Sequence, residues 1–290
     1  MSVATNQASE RLRAQLRELT GHEPGARAGD DPESVHQMRV AVRRMRSVLK
    51  VAVEPPDPAV GQLRSELKWL GGVLGGVRDL DVLIGELRPA VSLLQEPDRS
   101  AGLRLVDVFL TQRQDARQEL IAALDAPRFR ALRQQISAFA DRADLDQQPP
   151  AAESPTPPEP GQVLRKPYRA LAKAMDTLPA DPDDERLHTL RIHCKRLRYA
   201  AELLRPAVRK KRVTAARRAC GQLQDILGEH QDAVVAAERI RAVVAESADT
   251  GMTLAAGRII EQQAGKRAAM REAWPPAAWR VREAFAELLP

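Results

Sequence analysis

Apolar residues recur every three or four positions along most of the chain, and no stretch alternates apolar with polar over the length of a strand. That period predicts helices throughout and no sheet. Helices are expected near 3–20, 32–53, 58–95, 99–125 and 127–142, and again near 162–178, 182–205, 208–247, 253–274 and 276–289. Asp31-Pro32 and Asp181-Pro182 each offer an N-cap followed by proline at the first helical position. The periodicity fails over DQQPPAAESPTPPEPGQ, residues 146–162, where six prolines remove amide donors and favour an extended linker. The expected organisation is therefore all-α. An N-terminal helical bundle spans 1–145, a proline-rich linker 146–161 and a C-terminal helical bundle 162–290.

The two halves carry the same pattern. VHQMRVAVRRMR at 35–46 matches LHTLRIHCKRLR at 187–198, pairing His36 with His188, Arg39 with Arg191, Arg43 with Lys195, Arg44 with Arg196 and Arg46 with Arg198. A second match joins LGGVRDLDV (74–82) to LGEHQDAVV (227–235), with Gly75 opposite Gly228 and Asp79 opposite Asp232. A weaker third joins Arg117 to Arg267, each followed by a proline-containing break and an aromatic, Phe129 or Trp279. Three collinear matches imply an internal duplication.

The repeated helix has two distinct faces. At about 100° per residue, His36, Arg39, Arg43, Arg46 and Lys50 fall within an arc of about 80°. Met38, Val42, Met45, Val48 and Leu49 lie opposite, as a core face, and Arg44 stands apart. In the second copy His188, Arg191, Lys195 and Arg198 form the row, while Leu190, Cys194, Leu197 and Ala201 face inward. A merely solvated face mixes signs for i,i+4 pairing, yet no acidic residue occurs from 36 to 50 or from 186 to 201. Like charges one turn apart repel by roughly a few tenths of a kcal/mol. That cost, incurred twice at matching positions, points to an anionic ligand.

His36 and His188 each begin a row near a helix N-terminus, where amides favour anions and an imidazole can donate to phosphate. His193 lies at a core edge and reads as structural, and His22 as incidental. His188 and His193 are five apart, which is not the spacing of a helical zinc pair. Gly71, Gly72, Gly75 and Gly76 suggest close helix packing, since no phosphate-loop glycine motif is present. Asp79, Asp81, Asp225 and Asp232 read as residues that orient arginines or cap helices; no metal site and no cofactor is expected. Arg44, Arg64, Lys68, Arg113, Arg117, Arg196, Arg217 and Arg267 are candidates for further basic contacts.

Composition narrows the function classes. The 290 residues are 43% hydrophobic and carry a net charge of +6, so the clustering of cations informs more than their sum. Two cysteines, no signal-peptide pattern and no run of 18 apolar residues point to a cytoplasmic protein without a membrane span. Only 3% of residues are aromatic, too few for the stacking platforms of single-strand nucleic-acid binders. Three functions fit in decreasing order: a binder of a linear polyanion, a nucleic-acid binder, and a metal-dependent phosphohydrolase, for which neither metal cluster nor activated nucleophile is visible.

The doubled H-x-x-R-x-x-x-[RK]-R-x-R pattern, paired each time with the glycine–aspartate segment, resembles the CHAD family of histidine-containing α-helical domains. The resemblance covers about 5–290 apart from the linker. It implies two bundles related by a pseudo-twofold, a basic surface or pore between them, and non-catalytic binding of inorganic polyphosphate. The ligand residues it implies are His36, Arg39, Arg43, Arg46, His188, Arg191, Lys195 and Arg198. It also implies encounters with polyphosphate granules or polyphosphate-metabolising proteins. One departure is Gln231, which stands where the first half has Arg78.

Overall fold

The computed structural model of the chain describes residues 3–51, 58–145, 160–203, 211–286 and 288–289. Among these, nine α-helices and no strand are found: α1 (Val3–Ala28), α2 (Pro32–Val51), α3 (Pro58–Ser92), α4 (Asp98–Asp125), α5 (Pro127–Leu145), α6 (Pro160–Asp176), α7 (Asp184–Leu203), α8 (Lys211–Ala245) and α9 (Thr250–Ala286). None is long and apolar enough to cross a membrane. The proline-rich segment lies outside the described residues except at 160–162. These form the first turn of α6 rather than linker, with Pro160 at the helix start, where the missing amide costs no bond.

The chain divides into two compact units. One comprises Met1–Pro89 with Leu103–Pro155, the other Ala90–Gly102 with Thr156–Pro290. The tip of the α3–α4 hairpin thus belongs to the second unit, in which Arg258 of α9 pairs with the buried Asp98.

Each unit has its own core. In the first, Leu12 and Leu19 of α1, Met38 and Met45 of α2, Leu67, Leu70 and Leu74 of α3, and Phe129 and Leu132 of α5 are closed from solvent. In the second, Leu171 of α6, Leu190, Cys194 and Leu197 of α7, Cys220 and Leu223 of α8, and Val281 and Phe285 of α9 play that part. Tyr168 stacks on Phe285 with centroids 4.9 Å apart. Phe129 is buried but Trp279 is 62% exposed, so these two aromatics are not equivalent in packing. Cys194 is buried as its apolar-face position implies, and its thiol donates to the Cys220 carbonyl at 3.4 Å.

Three helix boundaries differ from the sequence expectation. α1 continues past residue 20 through Gly21 and Pro24 to Ala28 and stops at Gly29, whose φ is +79°. Gly29 donates to the Gly25 carbonyl at 2.9 Å, and Arg117 donates to the carbonyls of Arg27 and Ala28. A left-handed glycine and a guanidinium together satisfy carbonyls that a helix end leaves unpaired. α9 runs unbroken through Pro275 and Pro276, because both prolines are exposed while Ala277, Ala278, Val281 and Phe285 stay in register with the core. α7 begins at Asp184, not Pro182. Its cap is Asp183, which accepts from the Arg186 amide at 2.8 Å, while Asp181 and the Pro182 carbonyl are held by Arg271. In α2 the cap is Asp31, which accepts from the Glu33 amide at 2.8 Å.

Gly29→Ala should destabilise the protein. An added Cβ would lie 2.0 Å from Arg117 Nε, and the left-handed conformation alone costs a non-glycine residue about 1–2 kcal/mol. Thermal unfolding should show a clear drop in Tm; an unchanged Tm would contradict this account of the α1 terminus.

Candidate functional site

The first cationic row runs along α2 beside α3. Met38, Val42, Met45 and Leu49 bury the opposite face, so the row is held outward by the core itself. His36 and Arg39 are half-buried, and Arg43, Arg44 and Arg46 are exposed. The side chain of Lys50 lies outside the described residues. Arg39 crosses to α3, where its Nη1 donates to Asp79 Oδ1 at 2.7 Å. It passes over Gly75, at which a Cβ would come within 3.1 Å of Nη1. Burial, then the charge of Arg78, then those of Arg43 and Arg39 hold the His36 imidazole below its ordinary value, against an opposing pull from Glu33. His36 is thus neutral at pH 7 and surrounded by cations.

α3 extends this surface. Arg64, Lys68, Gly75, Arg78 and Asp79 fall within about 100° of arc on one side of the helix, and Arg64 and Lys68 are exposed.

The second unit has a corresponding arrangement on α7 and α8. His188, Arg191, Lys195 and Arg198 are half-buried, and Arg196 is exposed. Arg191 lies against Gly228, where a Cβ would sit 3.8 Å from Nε and Nη2. Its Nε is buried with no hydrogen-bond partner among the described residues. His188 Nδ1 lies 2.8 Å from Gln231 Oε1. With that oxygen as acceptor, Nδ1 carries the proton and Nε2 is left for a second partner. Arg217 sits half-buried on α8, one helical stripe with Gly228 and Gln231.

Three candidate basic contacts serve packing instead. Arg113 binds Asp81, whose side chain is 3% exposed, at 2.5 Å. Arg117 closes the end of α1, and Arg267 donates to Asp184 at 2.7 Å. These arginines lie on α4 and α9, and their partners are other parts of the bundles. Arg78 and Gln231, the matched positions at which the two halves depart, lie one position before Asp79 and Asp232, and the structure brings Arg78 near His36 and Gln231 against His188. His193 is kept below its ordinary value by burial and by Arg196, and His22 only meets Glu18 one turn away at 3.7 Å.

His230, by contrast, is buried within a polar cluster. Asp184, in the first turn of α7, lies 3.3 Å from His230 Nε2 and 2.7 Å from both Arg267 and Arg271.

A family model for the CHAD domain matches residues 10–241. The chain belongs to the CHAD domain family. Two uncharacterized proteins of Mycobacterium tuberculosis, from strains CDC 1551 / Oshkosh and H37Rv, are each 30% identical to it over 254 residues, covering 84% of this chain. The chain spans about half the length of these curated relatives, 47%. The crystal structure of the CHAD domain from the plant Ricinus communis superposes with a TM-score of 0.75 at 30% identity, covering 94% of this chain and 91% of that one. PptA from Streptomyces chartreusis shares the fold, with a TM-score of 0.69 at 22% identity over 94% of this chain and 98% of its own.

The Asp184 cluster of this CHAD chain makes its second unit sensitive to acid. Burial pushes the Asp184 carboxyl up, but the Arg271 hydrogen bond and the charges of Arg267, His230 and Arg271 outweigh it and leave the group below its ordinary value of 3.8. The unfolded chain then takes up that proton first. The stabilisation is present above the ordinary carboxylate range and is lost as pH falls through the folded value. His230, held below its ordinary value of 6.5 chiefly by burial, acts with the same sign as pH falls below that value. Asp184→Asn should therefore lower Tm at neutral pH, and the difference from wild type should shrink as pH falls below the ordinary carboxylate range. Parallel curves across the whole range would contradict the assignment.

Proposed function

We propose that this CHAD domain binds linear inorganic polyphosphate, without catalysis, along the α2/α3 face of its first unit and the α7/α8 face of its second. We also propose that the two faces arose by internal duplication. The observation that carries the reading is the repeated juxtaposition: a row arginine one turn from a histidine and laid against a glycine of the next helix, in the first unit also paired with Asp79. A polyphosphate chain offers oxygens at short, regular intervals and no bases, which suits guanidinium forks spaced by helical turns. Inorganic polyphosphate is also the ligand that the resemblance to this family implies.

His36 fits the same reading. It is neutral beside Arg78, Arg43 and Arg39, and a bound anion would offset those charges and favour its protonation, so binding takes up a proton there. Nucleic acid is the alternative ligand. It shares the electrostatics but finds little to stack on, since the described residues of α2, α3, α7 and α8 include only Trp69 and Tyr199 as aromatics.

The direct test is a pair of double variants. Arg39→Ala with Arg43→Ala, and Arg191→Ala with Lys195→Ala, should each weaken polyphosphate binding by up to about 1.5–3 kcal/mol per lost contact, and less where solvent screens it. Both should keep wild-type circular dichroism, because these side chains face away from the cores. Wild-type binding should fall steeply with salt, with a log–log slope near −4 to −7 if about 6–10 phosphates are neutralised. Unaltered binding by both variants would overturn the reading.

The glycines give a second, independent check. Alanine in place of glycine favours a helix by about 1 kcal/mol, so Gly75→Ala should not reduce stability. It should nonetheless weaken polyphosphate binding several-fold by pushing Arg39 aside. Gly228→Ala should have little effect, because its Cβ would meet Arg191 only at ordinary contact distance. Equal effects from the two substitutions, measured by calorimetric titration, would contradict the role assigned to Gly75.

A further inference from the structure

A second basic feature lies on α1 and α5, which carry none of the row residues. Between these helices is a cleft of about 600 Å³, lined by Arg13 and Arg17 of α1 and Arg130, Arg133, Gln134 and Ser137 of α5. Its size is within the range of small-molecule sites, roughly 300–1,000 Å³. No carboxylate lines it.

The four arginines divide into two pairs. Arg13 and Arg133 are anchored. Arg13 Nη2 donates to Asp141 Oδ1 at 2.8 Å and to the Ala140 carbonyl at 3.2 Å. Arg133 Nη1 donates to Glu23 at 3.2 Å, and its guanidinium lies 5.7 Å from the Phe129 ring. Glu23 is shared with Arg27, so it neutralises Arg133 only in part. Arg17 and Arg130 are exposed, and neither guanidinium meets a carboxylate among the described residues. Arg13 and Arg17 are four residues apart on one helix, and Arg130 and Arg133 three apart on the other, so like charges face the same space from both walls. Two guanidiniums held in place and two exposed ones offer several charged donors to a compact anion of several charges.

We infer that the α1/α5 cleft is a separate binding site for a triphosphate group, distinct from the two cationic rows. The walls supply donors almost alone: guanidinium groups accept no hydrogen bond, and Gln134 and Ser137 add neutral polar groups. Leu16 is the one apolar side chain in the lining, and no aromatic lines it to stack on a base. The cleft therefore reads the phosphates. Inorganic tripolyphosphate should bind at least as well as a nucleoside triphosphate.

The test uses the full chain at physiological ionic strength, titrated with inorganic tripolyphosphate and, separately, with ATP. Three proteins are compared: wild type, a row variant carrying Arg39→Ala, Arg43→Ala, Arg191→Ala and Lys195→Ala, and a cleft variant in which Arg17→Ala and Arg130→Ala are added to that row variant. The row variant, in which the two rows no longer compete for the probe, should retain a saturable tripolyphosphate site. The cleft variant should lose that affinity by about tenfold or more, the equivalent of one charge-assisted contact. Both substituted cleft residues are exposed, so the fold should be retained, with circular dichroism as the control. ATP binding tighter than tripolyphosphate would overturn the assignment to the phosphate group alone. Equal affinity in the row and cleft variants, or the absence of saturable binding to the row variant, would each overturn the site. Failure of the polyphosphate reading of the rows would leave this result untouched, because the two sites share no residue.

Discussion

A guanidinium can lie close against a neighbouring helix only where that helix has no β-carbon in the way. The candidate site depends on this constraint at Gly75 and meets it with room to spare at Gly228. Arg39 reaches Asp79 by crossing Gly75, and Arg191 rests against Gly228. The glycines weaken helix propensity in the middle of two long helices, by about 1 kcal/mol each relative to alanine. What they permit is a planar cation lying close against α3 and α8, with the Arg191 Nε buried there and without a partner among the described residues. Asp79 then sets the orientation of Arg39 without neutralising the rest of the row, since Arg43, Arg44 and Arg46 remain exposed beyond it.

The same side chain type does two kinds of work in this protein, and the place of the partner separates them. Arg113 meets an aspartate that is nearly closed from solvent, Arg117 ends α1 by binding its last carbonyls, and Arg267 and Arg271 hold the first turn of α7 through Asp184. Removing Arg113 strips a partner from the buried Asp81 carboxylate, and removing the others strips bonds from the ends of α1 and α7. The row arginines stand over exposed or half-exposed ground, where an ion pair contributes little to stability, about 0–1 kcal/mol. The positions that a ligand would use are therefore those whose loss the fold tolerates.

Much of this was legible in the sequence because it is periodic. The core faces of α2 and α7, the outward rows and the burial of Cys194 all follow from 3.6-residue spacing over long helices. The resemblance to the CHAD family, carried by the doubled motif, is matched by the family model over residues 10–241. What was not legible depended on distant partners. Nothing near Arg117 in the chain announces that it closes a helix 89 and 90 residues earlier, or near Arg267 that it meets Asp184. The boundaries failed for a related reason. Pro24 and the pair Pro275-Pro276 read as breaks locally, but packing on both sides keeps the helices continuous. The capping of α7 shifted from Asp181 to Asp183 because Arg271, on α9, claims Asp181.

The central claim is that the rows recognise a chain of phosphates as such, and a competition experiment addresses it most directly. Long-chain polyphosphate, single-stranded RNA and duplex DNA, matched for phosphate count, would be offered together at one stated salt concentration, with the bound fraction of each measured. The account predicts that polyphosphate displaces both nucleic acids, since it packs charge densely along its chain and sacrifices no base stacking. Equal or preferential retention of RNA or DNA would contradict it and make the two basic faces a nucleic-acid interface.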